Sequence, residues 1–219
     1  MHGRKPGTAA TLSGANPIEL GAHGRTRPLL LLSPGVVRAA LSATDMLRED
    51  HRHVRRFDSI VTKCYTGLCE GRDIPLEDIE RITRVMDDFL DSVHYSREED
   101  SYFPCVASYD HLRREIHVLL VEHEFSRRVA MQLRKYLRRW REGRDSREPI
   151  ARYMRAYSVY IADHLSKEED FFDRAEGEIL SKEEEYEMYE QFRSIAATSK
   201  RLKELLAEIG RLESRPWAV

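Results

Sequence analysis

Histidine and glutamate are the residues of this chain whose spacing could do chemistry. The phrase His94-Tyr95-Ser96-Arg97-Glu98-Glu99-Asp100 returns seventy residues later as His164-Leu165-Ser166-Lys167-Glu168-Glu169-Asp170. Asp50-His51 and Glu122-His123 form a fainter echo, seventy-two residues apart. Four residues along a helix bring a side chain back to the same face one turn on. Each His-x-x-x-Glu therefore points an imidazole and a carboxylate the same way. Two such faces, each joined by a further histidine, supply four imidazoles and two carboxylates: His51, His94, His123 and His164 with Glu98 and Glu168. That is a ligand set for a pair of metal ions. It contains no thiolate, which disfavours a structural zinc site, and imidazole with carboxylate suits iron, manganese or zinc. Glu98 and Glu168 are each placed to bridge two ions, leaving room for an oxo or hydroxo group and for a small ligand.

Two other metal motifs fail on spacing. The ferritin-like class uses Glu-x-x-His pairs, the reverse order at a different interval. His123-Glu124-Phe125-Ser126-Arg127 opens like His-Glu-x-x-His but ends on arginine, which excludes a zincin protease. A single helical histidine is most often a surface or hydrogen-bonded core residue, so it is the repeat that carries the metal reading. His111 and His117 have no echo, and His2 and His23 lie far from the repeat. His53 follows His51 by two residues, points elsewhere on the helix and is expected to be exposed.

The elements that must position this set are helices. Segments run from Val36 or Ala43 to Glu70, from after Pro75 to Phe103, from Asp110 to Arg141, from Glu148 to Glu176, and from Ser181 to Ile209. Gly71, Pro104, Gly143, Gly177 and Gly210 stand as their terminators. Ser181-Lys182-Glu183-Glu184 reads as a capping box. Long helices joined by short turns predict an all-α, up-down-up-down four-helix bundle with an additional C-terminal helix. The midpoints of His51/His94 and of His123/His164 fall on the turns at Gly71–Asp73 and Gly143. That of His94/His123 falls in the Pro104–Asp110 link. Residues equidistant from an antiparallel turn share a height, so all four histidines belong to one level, about 30 Å from the first and third turns.

Composition agrees. The chain has 219 residues, 34% of them charged and 41% hydrophobic, with little Gly or Pro. Residues 1–42 read as a disordered arm, Gly-, Pro- and Ser-rich over 1–34. Residues 43–180 read as the bundle, and 181–219 as the C-terminal helix and tail. The arm is basic and the body acidic, for a net charge of −2 that points to neither a nucleic-acid nor a membrane partner. Cys64, Cys69 and Cys105 form no C-x-x-C pair and read as ordinary thiols of a reducing cytoplasm. Leu29–Leu32 after Arg25 and Arg27 is too interrupted by Pro and Gly for a secretory signal.

These residues resemble the hemerythrin-like (HHE cation-binding) family. The resemblance covers Met46 to Ala197. It is carried by Glu49-Asp50-His51, His94-x-x-x-Glu98-Glu99-Asp100 with Phe103-Pro104, Glu122-His123-Glu124, and His164-x-x-x-Glu168-Glu169-Asp170 with Phe172. It implies a four-helix bundle around a non-haem di-iron centre, with His51, His94, His123 and His164 as imidazole ligands and Glu98 and Glu168 as bridging carboxylates. Oxygen carriers of the family have a further histidine where this chain has Arg127. The pattern is closer to members with four histidines and two glutamates, linked to stress responses. The resemblance thus implies two oxo- or hydroxo-bridged iron ions that sense, bind or detoxify oxygen, nitric oxide or hydrogen peroxide. A redox or regulatory protein partner would go with it. The alternative is a non-enzymatic iron store, donor or iron-responsive module. Arg127 reads either as a salt-bridge residue or as a fixed charge steadying a bound anion. Tyr102 and Tyr160 share the ligand faces and read as core packing with satisfied hydroxyls. Asp50 and Glu122 are candidates to orient imidazoles. Glu99, Asp100, Glu169 and Asp170 are expected outside the ligand set.

Overall fold

A computed structural model describes residues 42–194 and 197–219. The expected arm, and with it a helix start at Val36, falls outside the described residues except for Ser42. Helix α1 spans Ala43–Cys69, opened by Ser42, whose side chain accepts from the Asp45 amide. A second rod follows after Pro75: α2 (Leu76–Val85), a π-helical stretch (Met86–Tyr95), a π turn (Glu98–Tyr102) and α3 (Phe103–Ala107). Helix α4 spans Arg113–Arg141, and α5 spans Arg147–Arg174 with a π turn at Ala175–Ile179. Helices α6 (Lys182–Ser194) and α7 (Ala197–Glu213) and a short 3-10 turn, Pro216–Ala218, complete the chain. Among the described residues there is no strand, and no helix is long and apolar enough to cross a membrane.

The two tight turns rest on Gly71 and Gly143, with φ of 76° and 82°, where a side chain would strain the backbone. The capping box forms as expected: Glu184 N donates to Ser181 Oγ at 3.2 Å, and Ser181 N donates to Glu184 Oε2 at 2.8 Å. Four boundaries differ from the sequence expectation. Pro104 does not end the second rod, because the preceding π turn shifts the hydrogen-bond register where the missing N–H would be asked for. The third bundle helix begins at Arg113 rather than Asp110, since Asp110 takes a left-handed conformation (φ 65°) in the link. Gly177 and Gly210 lie inside helical segments, where packing outweighs a glycine's modest propensity penalty.

The core falls into two apolar clusters. One, toward the Gly71 and Gly143 turns, contains Val54, Phe57, Phe89, Leu133 and Tyr157. The other, at the opposite end, contains Leu47, Tyr102, Phe103, Phe171 and Phe172. The predicted ligand level lies between them. Helix α7 packs on α1 and the second rod and covers their seam. The tail is clasped there. Buried Asp78 accepts from Arg215 Nη2 at 2.8 Å, from Arg215 Nε at 3.1 Å and from Trp217 Nε1 at 2.9 Å. Asp78→Ala would strand the buried Trp217 indole N–H. It should lower stability by about 1–3 kcal/mol in chemical denaturation, whereas a surface clasp would show no change.

Candidate metal centre

All six predicted residues converge, and all six are fully buried. Their register follows from the helices: His51 on α1, His94 and Glu98 on the second rod, His123 on α4, His164 and Glu168 on α5. Glu168 lies between two imidazole pairs. Its Oε2 is 3.1 Å from His51 Nε2 and 4.0 Å from His94 Nε2. Its Oε1 is 3.2 Å from His123 Nε2 and 2.9 Å from His164 Nε2. Glu98 spans the same divide, with Oε1 3.8 Å from His94 Nε2 and Oε2 3.4 Å from His123 Nε2. The ligand atoms of His51, His94, Glu98 and Glu168 lie within 4.8 Å of one another, and so do those of His123, His164 and Glu168.

The outward nitrogens of the imidazoles face a second set of carboxylates. His123 Nδ1 donates to Glu99 Oε1 at 2.7 Å, His164 Nδ1 to Glu122 Oε2 at 2.8 Å, and His51 Nδ1 to Glu169 Oε1 at 2.9 Å. These contacts place the proton on Nδ1 and turn the Nε2 lone pair inward. The fourth pairing is longer. His94 Nδ1 is 3.8 Å from Asp50 Oδ2, beyond hydrogen-bond reach, because Asp50 is drawn to buried Arg97.

Cations close the arrangement from outside. Arg97 holds Asp50, and Lys167, its equivalent in the repeat, holds Glu122. Arg127 Nη2 lies 2.9 Å from Glu99 Oε1, and Arg55 Nη2 lies 3.1 Å from Glu169 Oε1. Arg127 also donates to Asp91 at 2.6 Å and is a third exposed. It is thus a salt-bridge residue whose charge is taken up, and not a free cation inside the site. Seventy-two residues separate Arg55 from Arg127, so extending the fainter echo by one turn would have found the pair. Glu99 and Glu169, expected outside the ligand set, are there but half-buried and specifically engaged. Asp100 and Asp170 are exposed. His53, expected to be exposed, is half-buried with its ring against Phe89. His111 and His117 are exposed. Tyr102 has its hydroxyl satisfied by Thr44 Oγ1 at 2.6 Å, but the Tyr160 hydroxyl has no partner and its ring stacks on His164.

A cation fits this donor set. His51 Nε2, both nitrogens of His94, His164 Nε2, both oxygens of Glu98 and Glu168 Oε2 are buried without a hydrogen-bond partner, even where a neighbour lies near 3 Å. So many unsatisfied donor atoms in an apolar core are unfavourable unless a cation gathers them. Their titration follows the same logic. Burial, then the charges of Glu168, Asp50 and Glu99, push Glu98 well above the usual carboxylate range. Burial would raise Glu168 too. The positive charge of His164, with the imidazoles of His123 and His51 close beside it, outweighs it and holds Glu168 well below that range. Burial opposes the charged form of His164, but Glu168 and Glu122 raise it to about 9. Glu168 and Glu169 likewise outweigh burial and raise His51.

The family description "Hemerythrin HHE cation binding domain" matches residues 42–175, more than half of the chain. Neither the curated proteins nor the solved structures gave a match.

A group whose pKa is raised on folding stabilises the fold below its unfolded value and ceases to as pH climbs through its folded value. His164, His51 and Glu98 all act in that sense. The thermal midpoint of the metal-free protein should therefore fall as pH rises from about 6.5 to about 9 on account of His164, with the Glu98 contribution starting to fade lower, from about 4.5. Metal-loaded protein, its ligands already deprotonated, should not follow. A flat profile for the metal-free form would contradict the charge assignment.

Proposed function

This chain belongs to the hemerythrin HHE cation-binding family, and from that premise we propose that His51, His94, His123, His164, Glu98 and Glu168 bind two iron ions that react with oxygen, nitric oxide or hydrogen peroxide. One observation carries the reading: Glu168 presents one oxygen to His51 and His94 and the other to His123 and His164, while Glu98 presents one oxygen to His94 and the other to His123. Two carboxylates so placed suit two cations side by side better than one in the middle. The protein's part is positional. The outer carboxylates fix the imidazole rotamers and tautomers, and the two apolar clusters exclude water from above and below. Iron pairs bound there supply one- and two-electron chemistry toward a small ligand. The full burial of the donor set argues against a store or donor that must release its metal on demand.

An anaerobic metal count should give two irons per chain, with oxo-bridge absorption on oxidation. Glu168→Ala removes a carboxylate oxygen from both imidazole pairs. It should lose more than half of the iron and lower the thermal midpoint, because binding to the folded state alone stabilises it. Asp170→Ala, at an exposed neighbour, should match wild type in both. Equal iron in all three proteins would overturn the ligand assignment. Reduced protein that ignores oxygen, nitric oxide and peroxide, while yielding iron readily to a chelator, would favour the storage role.

A further inference from the structure

Beside the ligand histidines the internal repeat breaks in a way that changes the chemistry. Tyr95 stands where the second copy has Leu165, Tyr160 where the first has Leu90, and Ser126 where the first has Val54. One flank of the centre is therefore lined with hydroxyls where its counterpart is aliphatic. The Tyr95 ring lies 3.8 Å from that of His123 in a near-parallel stack, and the Tyr160 ring lies 5.1 Å from that of His164. Tyr157 packs beside Tyr160, with ring centroids 6.3 Å apart.

The hydroxyls of Tyr95, Tyr157 and Tyr160 are all buried and have no hydrogen-bond partner. That of Tyr95 faces Ser126 and Tyr160 without reaching bonding geometry. A buried phenol normally finds a partner, and three unpaired ones together are costly unless something occupies the space between them. A cleft of about 120 Å³ between the second rod and α4 reaches Tyr95 and Ser126, with Asp91, Arg127 and Ala130 among its other lining residues. Both cations along it are spoken for: Arg127 by Asp91 and Glu99, Arg134 by Asp87. The route thus offers no unpaired charge to an anion, and its inner end offers groups that both donate and accept.

We propose that Tyr95, Tyr157 and Tyr160 form a subsite for neutral hydrogen peroxide beside the imidazoles of His123 and His164, reached through this cleft. The assignment rests on the di-iron reading above and narrows it. Peroxide carries two O–H donors and several lone pairs, matching hydroxyls that need both. Oxygen and nitric oxide have no hydrogen to give and accept weakly.

Tyr95→Phe and Tyr160→Phe remove one hydroxyl each and leave the rings in place. In iron-loaded protein each should raise the peroxide KM about three- to tenfold with kcat held. Nitric oxide affinity of the reduced protein, read by absorption, should stay within about twofold, with iron content unchanged. The thermal midpoint should be equal or higher, because an unpaired buried hydroxyl stabilises nothing. Unchanged KM would overturn the subsite, as would a parallel loss of nitric oxide affinity. A midpoint several degrees lower would mean that the hydroxyl is bonded within the fold, and would also overturn it. Wild-type protein that binds iron yet leaves peroxide untouched would remove the peroxide reading and the subsite together. Active wild type with indistinguishable variants would remove the subsite alone.

Discussion

Two carboxylates, Glu98 and Glu168, are shut away from water in the middle of a helical bundle, and the surrounding structure answers that constraint. A buried negative charge needs positive charge or donors within a few ångströms, or it takes up a proton. Four imidazoles surround the pair. Each imidazole in turn faces an acid on its outer side: Glu169, Asp50, Glu99 or Glu122. Beyond those acids stand Arg55, Arg97, Arg127 and Lys167. Sign alternates outward from the centre to the surface. The pairs made by Arg55, Arg127 and Lys167 are part-exposed and individually weak, and Arg97–Asp50 is buried, yet all four hold acids in place beside the imidazoles.

The same arrangement accounts for every charged place in the repeated phrase except its last. His94 and His164 face the centre, and Arg97 and Lys167 restrain the acids on the neighbouring rods. Glu98 and Glu168 join the two halves, and Glu99 and Glu169 brace histidines of α4 and α1. Asp100 and Asp170 face water and hold nothing in the centre. The bracing crosses between rods, so no hairpin could assemble its half alone. The covered seam, clasped at Asp78 by Arg215 and Trp217, keeps the rods in register far from the centre.

Much of this was legible in the sequence because helices convert residue number into height. Three turns and four histidines define a level, and the level was found. What numbering cannot show is angle and identity across a gap. Arg127 looked like the anomaly of the third bundle helix because it was compared with a histidine. Compared with Arg55 it is the rule. The departure that matters, Tyr95 against Leu165, sits at a position of the phrase that the ligand spacing leaves undefined. Pro104 and Gly210 misled for different reasons: a π turn moves the hydrogen-bond register ahead of Pro104, and at Gly210 a propensity penalty of about 1 kcal/mol is overridden by packing.

The π-helical stretch Met86–Tyr95 has a meaning in terms of insertion and phase. Leu76 lies eighteen residues before His94, whereas Arg147, at the same place in the second hairpin, lies seventeen before His164. The first hairpin therefore carries one residue more between its turn and its ligand. In an unbroken α-helix that residue would rotate everything beyond it by about 100° and carry His94 out of the interior. Wider turns absorb it instead, so the histidine arrives on the inner face and the added length becomes girth beside Tyr95. The two halves of the protein are in this sense one design, read in the same phase after an interruption that the backbone swallowed within a few turns.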